Sequence, residues 1–226
     1  MRRSTIYGAA LVAGALGMTV TMFFHPTAHD LLAPSGGAAR RGEAMAAATH
    51  ALALASAPTL FFGFLGLSRR LGPDRPLVSA ALVAFAFGAV AAMTAAIVSG
   101  LVAPALTRQM LAGDDANREA LHRIFRYNGL LNQGFAKVYV VASSLAVLCW
   151  SAAVYGFGRL ARLVAAFGCA VALLSLSAFF AGRLRLDAHG FGLFVFAQSA
   201  WVVLVGVFVL RRGQSREPAR EEGRSP

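Results

Sequence analysis

The sequence predicts an all-α, polytopic membrane protein: a bundle of six transmembrane helices with a further helix on its outer surface. Two observations carry this prediction. The chain of 226 residues is 58% hydrophobic and only 14% charged, whereas soluble domains are about 45–50% apolar and about 25% charged. The charges also cluster between six long apolar runs, each close to the roughly 20 residues that a helix needs to cross hydrocarbon.

The apolar runs define one transmembrane domain over residues 1–212, with spans at residues 6–24, 44–67, 77–103, 138–157, 163–182 and 190–210. Their length selects helices over a β-barrel, whose strands alternate over about ten residues. The first run is longer than a signal-peptide core, so we expect it to be retained as a span. Pro104 is expected to end the third run. Ala9, Ala13 and Gly17 offer a ridge of small residues for close helix contact.

Two polar segments lie outside the predicted spans. The longer one, residues 107–137, contains the predicted surface helix at about residues 115–126, which Asp114 can cap. The tail, residues 213–226, is rich in Arg, Glu, Ser and Pro and is predicted to be disordered.

The net charge of +11 comes from 21 basic residues against 10 acidic ones. The basic residues flank the apolar runs, as expected for topology and for lipid head groups. No nucleic-acid-binding motif occurs, so the expected partners are membrane lipids and not nucleic acid. The basic, short connections are predicted to be cytoplasmic, which places both termini in the cytoplasm and the chain in a bacterial inner membrane.

The outer end of the first run carries the most specific chemical pattern. Met18, Met22, His25 and His29 recur at i, i+4, i+7 and i+11, which is an arc of roughly 60° on a helix. Imidazole binds copper, zinc and iron, and thioether selects Cu(I). Pro26 opposes this interpretation because it disfavours helical backbone at His25. An interfacial helix end without a metal and a pH-sensing histidine cluster are the alternatives.

This pattern leads to the first functional hypothesis, metal binding or handling at the periplasmic face. The topology puts all five histidines at that face, and Glu43 and His50 share a face of the second span. Copper is the preferred metal, and a single haem held by two axial histidines is the other cofactor considered. The predicted ligands are His25, His29, His50, Met18, Met22 and Glu43.

A second hypothesis is a small-solute or lipid binding or transport subunit. Four polar residues near the fourth span fall at helical offsets 0, 4, 11 and 15 and would face the bundle interior. With a glutamine of the sixth span they form the predicted substrate-binding set: Asn128, Asn132, Tyr139, Ser143 and Gln198. The alternative is that these residues only hydrogen-bond neighbouring helices together.

A third hypothesis is a non-catalytic subunit that assembles with a partner in a membrane complex or as a homo-oligomer. The sequence contains no G-x-S-x-G, phosphate-loop or H-E-x-x-H motif. We therefore assign no catalytic residues and leave enzymatic activity open.

Overall fold

The computed structural model describes residues 3–25 and 36–214. The helices are α1 (Arg3–Phe23), α2 (Gly36–Leu71), α3 (Pro76–Ile97), α4 (Ala103–Ala112), α5 (Asp115–Val154), α6 (Arg159–Phe180) and α7 (Ala188–Gln214), with a π-helical segment at Val98–Val102 between α3 and α4. Within the described residues, six helices are long and apolar enough to cross a membrane, with α3 and α4 counted as one. The predicted all-α, six-helix fold class is confirmed.

The six spans form a ring in which helices adjacent in sequence pack side by side. Helix α1 contacts α2, α2 contacts α3, α3 contacts α5, α5 contacts α6 and α6 contacts α7. Contact between α1 and α7 closes the ring. This up-and-down arrangement follows from the short connections, because a short connection can join a helix only to an antiparallel neighbour.

Aromatic rings from four helices fill the centre of the ring. Phe64 of α2 stacks on Trp150 of α5 with ring centroids 4.1 Å apart, and it also contacts Phe85 of α3 and Trp201 of α7. Trp150 Nε1 donates a hydrogen bond to Ser68 Oγ of α2 at 3.0 Å. The indole nitrogen is therefore satisfied even though Trp150 is fully buried.

Glycines set the close approach of α1 to its neighbours, but not along the predicted ridge. A Cβ added at Gly14 would collide with Leu60 of α2, and one added at Gly8 would lie 2.9 Å from the carbonyl oxygen of Gly206 on α7. Ala9 and Ala13 are instead exposed on the outside of the bundle. Gly17 of the predicted ridge does approach another helix, since an added Cβ would collide with Ser56 of α2. The ridge prediction was wrong because spacing identifies small residues but not the side that neighbours occupy.

Three of the spans are much longer than hydrocarbon requires. Helices α2 and α5 contain 36 and 40 residues, or about 54 and 60 Å of helix against a hydrocarbon core of about 30 Å. The third long span is Pro76–Ala112. All three extend at the face where α1 ends, α2 begins and α4 meets α5, which we call the extended face. The opposite face, where residues 72–75 and 155–158 make tight connections, we call the short-loop face.

The parts of α2, α4 and α5 that project beyond the membrane at the extended face form what we call the extension. The start of α5 in this extension takes the place of the separate surface helix that the sequence predicted. Residues 115–126 are the start of α5, which runs without a break into the fourth span. Asp114 caps α5 as predicted, since its side chain accepts a hydrogen bond from the Asn117 backbone N–H at 2.9 Å. Pro104 does not end the third span: it lies in the first turn of α4, where a missing N–H is tolerated.

The end of the chain is only partly described. Helix α7 continues to Gln214, so the predicted tail begins inside a helix, and residues 215–226 lie outside the described residues. At its other end, α7 is capped by Asp187, whose Oδ1 accepts from the Gly190 N–H at 2.9 Å. That hydrogen bond lowers the pKa of Asp187, and the neighbouring Arg185 lowers it further.

Gly168 tests how tightly the ring is packed. It lies where α6 meets both Ser151 of α5 and Trp201 of α7, and an added Cβ would collide with both side chains. We expect Gly168→Ala to lower the free energy of unfolding by about 1–3 kcal/mol, the usual cost of overpacking. Thermal unfolding in detergent, followed by circular dichroism, measures the change.

Gly129→Ala is the matched control, because Gly129 lies in α5 with open space where a Cβ would be added. Alanine should there raise helix stability by about 0.5–1 kcal/mol. Equal melting temperatures for the two variants would contradict the packing described for Gly168.

Candidate functional site at the base of the extension

The candidate site lies where the bundle changes from membrane span to extension. His50 of α2 is 21 residues from the end of its helix at Leu71, or about 32 Å above the short-loop face. Because a hydrocarbon core is about 30 Å thick, a bundle whose short-loop face lies at one edge of the core places His50 near the other edge. His50 is only 3% exposed, which is unusual for a residue that carries two ring nitrogens.

One ring nitrogen of His50 has its role fixed by the backbone. Nδ1 lies 2.7 Å from the carbonyl oxygen of Ala46, one turn earlier in α2. A carbonyl oxygen only accepts, so Nδ1 carries the hydrogen and, in the neutral ring, Nε2 has a free electron pair. Histidines that bind metals are typically held in this way, with one N–H donated to a carbonyl and the other nitrogen on the metal.

His25 meets His50 at the end of α1. The two ring centroids are 4.9 Å apart and the ring planes are inclined by 64°. Helix α1 ends at Phe23, and the His25 backbone N–H bonds the Met22 carbonyl three residues back, at 3.4 Å. The helical stripe predicted through His25 therefore ends before it reaches that residue, which fits the effect expected of Pro26.

A second contact joins α1 and α2 just below the imidazoles. Thr21 Oγ1 donates to the carbonyl oxygen of Thr49 at 3.2 Å, and both threonines are buried. This bond fixes the height of α1 beside the residue preceding His50. It explains why His25, four residues after Thr21, arrives beside the imidazole of α2.

The π-helical segment supplies the wall behind His50. A Cβ added at Gly100 would lie 2.8 Å from His50 Nδ1 and closer still to its Cβ and Cγ. Only glycine leaves room for the ring there. The widened turn is stabilised from α5, because Asn128 Nδ2 donates to the Val98 carbonyl oxygen at 3.1 Å. Single π-helical turns inside α-helices occur frequently at functional sites.

The other predicted metal ligands lie apart from this pair. Glu43 is two turns before His50, about 10 Å along α2, and it forms a 3.4 Å ion pair with Arg108 of α4. Met18 points into the bundle centre, and Met22 packs toward Gly192 of α7. His29 falls outside the described residues.

The remaining histidines, His122 and His189, are exposed on the surface. In the part of the chain that the structure describes, no group of three or more His, Cys, Asp or Glu side chains is arranged to hold a metal. What the described residues provide is a pair of imidazoles.

The predicted polar stripe divides into separate contacts. Asn128, Tyr139 and Ser143 are buried, whereas Asn132 is only half-buried. Ser143 Oγ donates to the Tyr139 carbonyl oxygen of its own helix at 2.6 Å. Gln198 donates to Ser144 Oγ at 3.3 Å and not to Ser143. The stripe thus faces the interior but does not line one continuous surface.

The spaces near this stripe do not suit a polar solute. A cavity of about 20 Å³ lies beside Tyr139 and Gln198, about the volume in which one water fits. A groove of about 510 Å³ opens on the outside of α7 beside Thr19, Phe167 and Phe196. Its lining is almost wholly apolar, and it lies on the face turned to lipid.

Sequence reasoning missed two parts of the site, Gly100 and the role of Asn128. A glycine within the third apolar run carries no signal that distinguishes a wall for a histidine from ordinary helix packing. No protein family, curated protein or solved structure matches the chain. The site is therefore interpreted from its own geometry.

Gly100→Ala should displace the His50 ring. The added methyl group requires the imidazole to move, so we expect the Nδ1–H bond to Ala46 to weaken and the melting temperature to fall. Nitrogen-15 NMR of histidine-labelled protein reports both the tautomer and the bond. Gly88→Ala is the control, because Gly88 lies in the same span but an added Cβ there would meet only ordinary van der Waals contacts. An unchanged His50 spectrum in Gly100→Ala would contradict the close contact between Gly100 and His50.

Asn128→Leu should destabilise the protein by removing the side-chain hydrogen bond to the π-helical segment. The substitution keeps the volume but removes one of the two donors to the Val98 carbonyl oxygen, which then accepts only from the Ala103 backbone N–H. We expect the loss of this hydrogen bond to lower the free energy of unfolding by about 0.5–1.5 kcal/mol. Chemical or thermal unfolding measures the loss. Asn132→Leu, one turn further along α5 at a half-buried position, should change stability by less than about 0.5 kcal/mol; a similar loss in both variants would argue against the bond.

Proposed function

We propose that the protein binds a transition-metal ion at its extended face through His25 and His50 and acts in metal handling at the membrane. The observation that carries this proposal is the pairing of two imidazoles, one of which is buried with its Nδ1–H held by a carbonyl. That hydrogen bond presets Nε2 as a ligand before any ion arrives.

The ring separation supports a small ion bound by adjacent ligands. With metal–nitrogen bonds of about 2.0 Å, two imidazoles at a tetrahedral angle have ring centres about 5 Å apart, and two on opposite sides of a metal about 6 Å apart. The observed 4.9 Å agrees with the first arrangement. It favours a small ion over a haem that both rings would ligate axially.

Copper(I) is the first candidate and zinc the second. Imidazole suits both ions, and the thioethers that precede His25 in sequence are of the kind that selects Cu(I), although Met18 and Met22 pack away from the imidazole pair. Two protein imidazoles leave other coordination positions free. A site with free positions suits uptake and release of the ion more than permanent structural binding.

The charge distribution supports a periplasmic position for this site. The two tight connections of the short-loop face are densely basic, with Asp74 as their one acidic residue: Arg69, Arg70, Arg75, Arg159 and Arg162. The extended face carries a similar number of basic residues, but they are spread over longer segments that also hold acidic residues such as Glu43, Asp115 and Glu119. By the positive-inside rule that face is cytoplasmic, and the extended face is then periplasmic in a bacterial inner membrane. Both chain ends lie on the cytoplasmic side in this orientation.

Metal titration of the purified, full-length protein tests the proposal. We expect one equivalent of Cu(I) or Zn²⁺ to bind in competition with a chromophoric chelator. His25→Ala and His50→Ala should each weaken binding at least about tenfold, which corresponds to about 1.4 kcal/mol.

His122→Ala and His189→Ala are the matched controls, because both imidazoles are exposed on the same side of the bundle. They should leave the affinity unchanged. Wild-type protein that binds no more tightly than the His25/His50 double variant would exclude the site.

A further inference from the structure

A second feature of the bundle, independent of the histidines, is a small, partly enclosed cavity among the spans. Its volume is about 20 Å³, and five of the six spans contribute to its wall. Met18 of α1, Phe64 of α2 and Phe85 of α3 form its apolar side. Tyr139 of α5 with Gln198 and Ser199 of α7 form its polar side.

The polar groups on this wall have unused hydrogen-bonding capacity. Tyr139 and Gln198 are 7% and 6% exposed. Gln198 Nε2 donates to Ser144 Oγ, and its carbonyl oxygen remains an acceptor. Among the described residues, the Tyr139 hydroxyl makes no hydrogen bond, although its ring contacts Phe191 and Phe194 edge to face.

The cavity matches one ligand size. A water molecule needs about 10–15 Å³ of accessible volume and two to four polar partners, and empty cavities in proteins are apolar. This space exceeds the minimum but is far below the volume of an amino acid or a sugar. Its polar wall would be costly to leave dry, because buried polar groups need a hydrogen-bond partner.

We propose that the cavity binds one water molecule, held between the Tyr139 hydroxyl and the side-chain amide of Gln198. The water would accept from or donate to the hydroxyl and donate to the amide carbonyl. It would thereby connect α5 to α7 across the centre of the ring, where these two helices otherwise meet through side chains.

Methyl NMR of the full-length protein in lipid nanodiscs tests this proposal directly. The protein carries ¹³C-methyl methionine, and cross-relaxation from water to each methyl group is measured. Met18 lines the cavity and should show a water signal. Met93, half-buried on α3 and not among the cavity-lining residues, should show none.

Two variants make the test specific. Tyr139→Phe and Gln198→Leu remove the polar partners and should abolish the water signal at Met18, while circular dichroism confirms that each variant is folded. Absence of the signal in the wild type, or its persistence in the folded double variant, would overturn the proposal. The wild-type measurement decides even if a variant fails to fold.

Discussion

In hydrocarbon there is no solvent to satisfy a polar group, and this constraint shapes the whole bundle. Each span is helical because helices satisfy their backbone groups internally. Two threonine hydroxyl groups in the spans follow the same rule: Thr19 and Thr94 donate to carbonyl oxygens one turn earlier, at 2.9 Å in both cases. Among the described residues, the buried Ser151 hydroxyl and the Trp201 indole N–H are exceptions that have no hydrogen-bond partner. At Val98, where the α-helical ladder widens to a π turn, the carbonyl oxygen accepts from the Ala103 backbone N–H and also from the Asn128 side chain of another helix.

The same constraint prepares the imidazole of His50. A buried imidazole that carried hydrogens on both nitrogens would be charged, which is costly in hydrocarbon. A buried neutral imidazole whose N–H found no acceptor would lose its hydrogen bond to water without replacing it. The Ala46 carbonyl oxygen accepts one N–H, which leaves the other nitrogen with a free electron pair in a ring that contacts the His25 ring. The two possible roles of His50, metal ligand or structural residue, therefore differ only in what Nε2 does. Nδ1 donates to the Ala46 carbonyl oxygen in both cases.

The number and type of the spans could be predicted because the length of an apolar run reports the thickness of the hydrocarbon. The extension could not be predicted. A polar sequence such as residues 115–126 is equally compatible with a helix on the membrane surface and with a span that continues into water. The end of α1 near Pro26 was predictable from the geometry of the residue that precedes a proline. The π-helical segment was not, because it depends on His50 and Asn128, which approach from other helices. The metal itself stays a prediction, as do His29 and the thioethers as ligands.

The π-helical segment also sets the rotation of everything that follows it. A π turn holds one residue more than an α turn, and each residue adds about 100° of rotation. If one residue of Val98–Val102 were deleted, α4 would resume the register of α3 and turn by that angle. Arg108 would then leave Glu43, and the extension would lose its link between α4 and α2. The one extra residue of the π turn thus sets the rotation of α4 about the helix axis relative to α3.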